Sequence, residues 1–204
     1  MRPNLTVMFL LYCLAIPAWT QTARQERTLN LPAGASVEEA TISRAGNLVA
    51  AICSDRAVRV WSARSGELLR TIADNKEPSA VQFSYDEHLL AVAYEIVAYE
   101  KGEIKLFDVS SWEVRRDFAD GPPVYWMTFS PDGRHLAGGA DLGAYAWDIA
   151  AGKKANISPP FGGSASSVFS PDGKWVASAD PDGFVRVYDP NTGTLHTATA
   201  LRAR

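Results

Sequence analysis

The sequence predicts an all-β fold assembled from tandem four-stranded antiparallel units, and three observations predict it. A serine closes an early apolar run at Ser43, Ser84, Ser130 and Ser170, at intervals of 41, 46 and 40 residues. An aromatic residue closes a later run at Trp61, Phe107, Trp147 and Tyr188, in phase with those serines. Between these landmarks lie short β-rich runs punctuated by Pro, Asp, Asn and Gly, with no sustained helical apolar period. Two landmarks holding one phase over about 40 residues define a repeat array.

The fourth unit states the pattern most fully. "SSVFS" (166–170) reads as a first strand, and "PDG" (171–173) as the corner after it: proline presets φ, aspartate bonds local backbone, and glycine accepts positive φ. "KWVASA" (174–179), "FVRVYD" (184–189) and "TLHTATA" (194–200) follow, separated by "DPDG" and "PNTG" turns. The first unit repeats the order as "EEATIS", "NLVAAIC", "AVRVWS" and "ELLRTIA". The second reads "SAVQFS", "HLLAVAY", "EIKLFDV" and "EVRRDFA", with about five extra residues around Glu95 to Lys101 accounting for its longer interval. The third reads "VYWMTFS", "HLAGGA", "AYAWDIA" and "KKANISP". "RTLNL" (27–31) is a candidate extra strand ahead of the array.

The N-terminus is of another kind. Arg2 precedes an apolar run from Leu5 to Ile16, too short to span a bilayer, and Ala18 and Thr20 are small residues suited to cleavage. Residues 1–20 therefore read as a signal peptide and the protein as exported, periplasmic or secreted. Cleavage would leave Cys53 as the only cysteine, a small core residue by its apolar neighbours. The chain has 204 residues, 47% of them hydrophobic and 21% charged, which suits one globular domain with a substantial core. A net charge of -3 without basic clusters offers no field for nucleic acid or anionic lipid.

No catalytic constellation is visible. His88 and His135 both follow the first corner, where histidine is expected to be solvated, and neither has metal-ligand spacing to a carboxylate or thiol. "GGSAS" (162–166) lacks the final glycine of a nucleophile elbow. Asp180 and Asp182 of "DPDG" fit a strand-connecting turn better than a calcium loop. "NIS" (156–158) is a glycosylation sequon of little weight, followed by Pro159.

The repeat length, the serine-proline-aspartate-glycine corner, the "Val-Ala-Ser" second strand and the aromatic-aspartate third-strand end together resemble the WD-repeat β-propeller family from about residue 27 to 200. The departures are an absent glycine-histidine pair, a second-strand serine kept only at Ser178, and a varying dipeptide at Trp61-Ser62, Phe107-Asp108, Trp147-Asp148 and Tyr188-Asp189. The family's polar network is thus incomplete, and apolar packing is expected to carry more of the stability. The resemblance implies a β-propeller of four-stranded blades at about 37–78, 79–123, 124–163 and 164–204, preceded by an extension at 21–36. Four blades are fewer than the usual ring of about seven, so a partial or open propeller is expected. Completion by self-association, origin as part of a longer propeller, and a closed four-bladed ring remain open alternatives.

The resemblance also implies a non-catalytic protein-interaction scaffold without cofactor or metal, whose partners are proteins and neither nucleic acid nor membrane. The alternative is an accessory propeller of a larger enzyme or transport system, of peptidase-gating or periplasmic-translocation type. Propellers of this kind usually meet partners through the inter-blade and second-to-third-strand loops. Those loops hold or flank Tyr99, Tyr125, Trp126 and Phe161, which are the candidate partner-binding residues.

Overall fold

The computed structural model describes residues 28–97, 101–140, 143–158, 166–180 and 182–200. The leader read at 1–20 and the candidates Tyr99 and Phe161 lie outside the described residues. Within them the fold is all-β, in four four-stranded antiparallel sheets. Blade 1 comprises β1 (Val37–Ile42), β2 (Leu48–Cys53), β3 (Ala57–Ser62) and β4 (Leu68–Ala73). Blade 2 comprises β5 (Glu77–Phe83), β6 (Leu89–Val97), β7 (Lys101–Asp108) and β8 (Val114–Gly121). Blade 3 comprises β9 (Trp126–Phe129), β10 (His135–Ala140), β11 (Gly143–Asp148) and β12 (Lys153–Asn156). Blade 4 comprises β13 (Ser166–Phe169), β14 (Val176–Ala179), β15 (Phe184–Tyr188) and β16 (Leu195–Ala200). Each blade is a meander in sequence order, the product of short strands joined by tight turns.

The first strands β1, β5, β9 and β13 neighbour one another in succession, so they form the inner wall of an arc. That wall is stitched by polar links: Thr41 Oγ1 donates to Gln82 Oε1 at 3.2 Å, and Ser79 Oγ to the Val124 carbonyl at 2.7 Å. The four sheets do not close into a ring. Among the described residues the array is thus a partial, unclosed propeller, as expected.

Blade-to-blade packing follows one rule. Cross-strand register aligns Phe83, Leu90 and Phe107 in a row on the back of blade 2. The same register gives Phe129, Leu136 and Trp147 in blade 3, and Phe169, Val176 and Tyr188 in blade 4. Each row buries itself in the front of the preceding blade. The first meets Ala50, Ile52, Val58 and Val60; the second Ala91, Ala93, Ile104 and Leu106; the third Ala137, Ala144, Ala146 and Ile157. Small and branched residues on the receiving side leave depth for the rings. Each fully buried large side chain contributes roughly 1.5–3 kcal/mol.

The recurrent corner has a repeated hydrogen-bond plan. The Ser84, Ser130 and Ser170 hydroxyls each donate to the aspartate two residues on, Asp86, Asp132 and Asp172, at 2.6 Å. The same hydroxyls accept from the amides of Leu89, His135 and Trp175 at 2.9–3.0 Å. In blade 1 the corner has no aspartate, and Ser43 Oγ accepts from Leu48 N at 3.2 Å. The third residue after each serine has positive φ: Gly46, Gly133, Gly173 and, without a glycine, Glu87 at 61°.

Two expectations need correction. "RTLNL" supplies no strand: the described part, from Thr28, lies outside regular structure, and Leu29 and Leu31 pack on the back of blade 1 over Trp61, Ala51 and Cys53. Their alternation serves side-chain packing, not ladder pairing. His88 and His135, expected at matching solvated positions, differ by one in register. His88 is exposed, whereas His135 takes the inward place that Leu48 and Leu89 hold in blades 1 and 2, and is 6% exposed.

Candidate partner-binding site

On each blade's back, two residues before the aromatic of β3, β7, β11 and β15, stand Arg59, Lys105, Tyr145 and Arg186. Strand alternation keeps them on the aromatic's face but toward the turns opposite the serine corners. The three basic residues are all held by acids. Arg59 grips Asp55 through two bonds of 2.8 and 2.5 Å. The paired guanidinium lowers the Asp55 carboxyl below its ordinary value. Arg186 joins Asp180 at 2.5 Å and Asp182 at 2.6 Å, and Ser178 Oγ donates to Asp180 at 3.2 Å. The "DPDG" acids are thus committed to an internal cation, as a strand-connecting turn requires.

Blade 2 turns the same position into a link between blades. Lys105 Nζ lies 2.8 Å from Asp74, in the connection leaving blade 1, and 3.0 Å from Glu103. Lys76, from the same connection, bonds Glu103 in turn. Burial opposes ionisation of Glu103, yet the bonds from Lys76 and Lys105 outweigh it and hold the carboxyl below its usual range. Asp117, next along the network, moves the other way, first through burial and then through the Glu103 charge. The Lys105 ammonium also sits 5.6 Å from the Tyr94 ring centre. The Tyr94 hydroxyl is buried without a hydrogen-bond partner among the described residues, and burial pushes its pKa up. Beside this network a cleft of about 280 Å³ opens between β4 and blade 2, lined by Arg70, Asp74, Lys105, Phe107 and Val114.

Asp74 to Glu77 make one of the inter-blade connections, the kind of loop expected to meet partners, and the structure sets Tyr94, Glu103 and Lys105 beside it. Their signal is period-2 charge in "EIKLF": Glu103 and Lys105 alternate with the buried Ile104 and Leu106. Tyr125 and Trp126 stand together at the start of blade 3, both half-buried. The Tyr125 amide donates to the Gly139 carbonyl at 2.9 Å. The Trp126 ring lies over Gly139, where a Cβ would come within 2.6 Å of it, and packs into the blade 3–4 core. Trp126 is therefore fixed by the inter-blade packing as well as set beside the loop rim.

On the opposite rim a larger cleft of about 540 Å³ lies between the corners of blades 3 and 4, lined by Asp132, Arg134, His135, Asp172, Lys174 and Asn191. His135 Nε2 is 2.9 Å from Asn191 Oδ1, and its ring stacks on Phe169. Its other ring nitrogen is buried without a partner among the described residues. Among those residues no three His, Cys, Asp or Glu side chains come together to hold a metal.

Comparison with known proteins places this architecture. The family model described as "WD domain, G-beta repeat" matches residues 114–148 and 162–189. WD repeat-containing protein SL1-17 of Schistosoma mansoni is 27% identical over 183 residues, covering 87% of this chain and 59% of that protein. Eukaryotic translation initiation factor 3 subunit I of Candida albicans is 27% identical over 182 residues, covering 80% and 51%. Pre-mRNA-processing factor 17 of Homo sapiens is 22% identical over 157 residues, covering 75% and 27%. The chain thus spans from about a quarter to about three-fifths of the length of these relatives. Among solved structures, the β-propeller domain of Myceliophteria thermophila Cps50 (Swd1) superposes with a TM-score of 0.67 at 14% identity, over 82% of this chain and 58% of that one.

Proposed function

This chain belongs to the WD-repeat β-propeller family, and from that premise we propose that it works as a non-catalytic protein-interaction scaffold. The observation that carries the reading is the blade array itself. Three interfaces sealed by the same kind of aromatic row hold the loops between blades at fixed spacing on a rigid frame. Binding residues are disproportionately placed on loops that a rigid scaffold positions. The relatives named for translation initiation and for pre-mRNA processing give further support, since both processes run on multiprotein assemblies.

The partner meets the rim that carries the Asp74–Glu77 connection, the Glu103–Lys105 network, Tyr125 and Trp126, and Tyr99 and Phe161 are further candidates read from the sequence alone. Export delivers the chain to that partner: Arg2, the apolar run Leu5–Ile16 and the small residues Ala18 and Thr20 form the leader. Affinity capture with the full chain, run against Tyr99→Ala and Phe161→Ala, tests the rim. Loss of a protein recovered by the parent supports it, and unchanged recovery with both variants removes those loops. N-terminal sequencing of the protein recovered from the producing cells tests the leader; an intact Met1 in all of it would contradict export.

A further inference from the structure

In each blade the turn from the third strand to the fourth holds one residue in left-handed backbone. Blades 1, 3 and 4 use Gly66, Gly152 and Gly193, whereas blade 2 uses Trp112 at φ 61°. The four are equivalent by their bonds, each amide donating to the carbonyl four residues back at 2.7–2.9 Å. Glycine also leaves room here for the outer strand of the preceding blade. A Cβ on Gly193 would come within 2.3 Å of the Asn156 carbonyl of β12, and one on Gly152 would lie 3.5 Å from Nη1 of Arg116 on β8. Arg116 uses that room: it donates to the Ile149 carbonyl at 3.0 Å and to the Ala150 carbonyl, closing the groove between blades 2 and 3.

Arg70 on β4 occupies the register place of Arg116, the one opposite Val60 and the other opposite Leu106, each next to the aromatic of its row. It has no such use. Trp112 fills the place left to glycine elsewhere, and with Leu48 and Val109 it packs against the core between blades 1 and 2. Arg70 is exposed and makes no hydrogen bond or ion pair among the described residues. The groove beside it stands open as the cleft of about 280 Å³ between β4 and blade 2. Its apolar lining is Ile72 and Phe107, 9% and 7% exposed, and Val114, 47% exposed. Its other cation, Lys105, is already held by Asp74 and Glu103. Left-handed backbone at a non-glycine residue is strain of the kind that gathers at binding and switch regions.

We propose that Trp112 props this cleft open for an acidic segment of a partner protein. One carboxylate of the segment pairs with Arg70, while a neighbouring apolar side chain lies against Ile72, Phe107 and Val114. The inference rests on the scaffold reading and deepens it, naming the chemistry of the segment that one cleft takes. Three arguments select the occupant. An uncommitted guanidinium presents a planar fork that matches a carboxylate. Asp74 in the wall, and Glu103 bonded to the same lysine, repel a doubly charged phosphate group more than a single carboxylate. The volume falls below the roughly 300–1,000 Å³ of small-molecule pockets and suits a side chain.

The test pans a displayed library of random short peptides against the full chain and remeasures the enriched peptides on two variants. The proposal expects those peptides to carry Asp or Glu next to an apolar residue, and their affinity to fall about tenfold with Arg70→Gln. Trp112→Gly, which frees the place for Arg70 to turn onto the Val109 and Ser110 carbonyls, is expected to weaken them similarly. Thermal melting reports whether each variant folds. Arg70→Gln, a change at an exposed site, is expected to melt with the parent, so it decides the matter even where Trp112→Gly does not fold. Peptides that bind Arg70→Gln as well as the parent, an enriched pool without acidic residues, or no enrichment overturns the proposal. Displacement of the peptides by inorganic phosphate at comparable concentration would assign the cleft to a free anion and overturn the occupant. Both variants leave Tyr99 and Phe161 untouched, so failure here leaves the capture experiment to decide the scaffold reading.

Discussion

Glu87 Oε1 accepts a hydrogen bond from Ala45 N at 2.5 Å, so the corner of the second blade supplies the carboxylate that the first blade's corner lacks. In blades 2–4 the carboxylate comes from within the corner, and Asp86, Asp132 and Asp172 accept from a later amide, that of His88, Arg134 and Lys174. Glu87 does this from a left-handed backbone, φ 61°, at the position that the other three corners fill with glycine.

Left-handed backbone costs a non-glycine residue about 1–2 kcal/mol, and a hydrogen bond contributes about 0.5–1.5 kcal/mol. Glu87→Gly removes both and is expected to change stability by less than about 1 kcal/mol. Glu87→Ala keeps the strain and loses the bond, and is expected to destabilise by about 1 kcal/mol. Urea unfolding of the two variants beside the parent measures the difference.

Asp180 has a fully buried side chain whose cationic partner is Arg186. Arg186→Met should strand that carboxylate and cost about 3 kcal/mol in urea unfolding. Because the acids serve a guanidinium and not a metal, added calcium is expected to leave the parent's melting temperature unchanged. A rise with calcium would reinstate the ion-binding reading of "DPDG".

Gly139 lies beneath the Trp126 indole, with 2.6 Å between an added Cβ and the ring. Gly139→Ala forces the indole outward and is expected to destabilise by about 1–3 kcal/mol. The accompanying red shift of tryptophan emission would show that Trp126 has moved toward water; an unshifted spectrum would contradict the placement.

Glu39 reaches from β1 toward the Val81 amide of blade 2, and burial raises its carboxyl above the ordinary 4.5. A raised folded value means that the group favours folding when protonated and loses that contribution as pH rises through it. Glu39→Gln should therefore raise the melting temperature at pH 7, with the gain shrinking as pH falls through the raised value toward 4.5 and gone below it. A gain that persists at pH 3 would contradict the assignment.

What was legible in the sequence was whatever repeats locally. Ser170, Asp172 and Gly173 announce their corner because the bonds they make span five residues or fewer. Trp147 and Tyr188 announce the third strand by alternation. The Asp74–Lys105 link was hidden because its members are 31 residues apart and meet only when two blades pack. His135 was misplaced because a one-residue difference in spacing from Ser84 to His88 and from Ser130 to His135 moves a side chain from rim to interior. The strained position of Glu87 was equally hidden, since nothing in "YDEH" signals that glutamate stands in for glycine. Of the candidate residues, Tyr125 and Trp126 do come together beside a loop, while the packing of Trp126 on Gly139 depends on blade contacts that no single strand encodes.

The leucine lid over Trp61 gives the array a direction of growth. A repeat duplicated after blade 4 would land on a surface already shaped for it, and the lengthened chain could fold at once. A repeat duplicated ahead of blade 1 would first have to evict Leu29 and Leu31 from the face it needs. The two outer faces of the described array are therefore unlike: blade 1's back is roofed by leucines of its own chain, while blade 4's front shows Val168 to solvent.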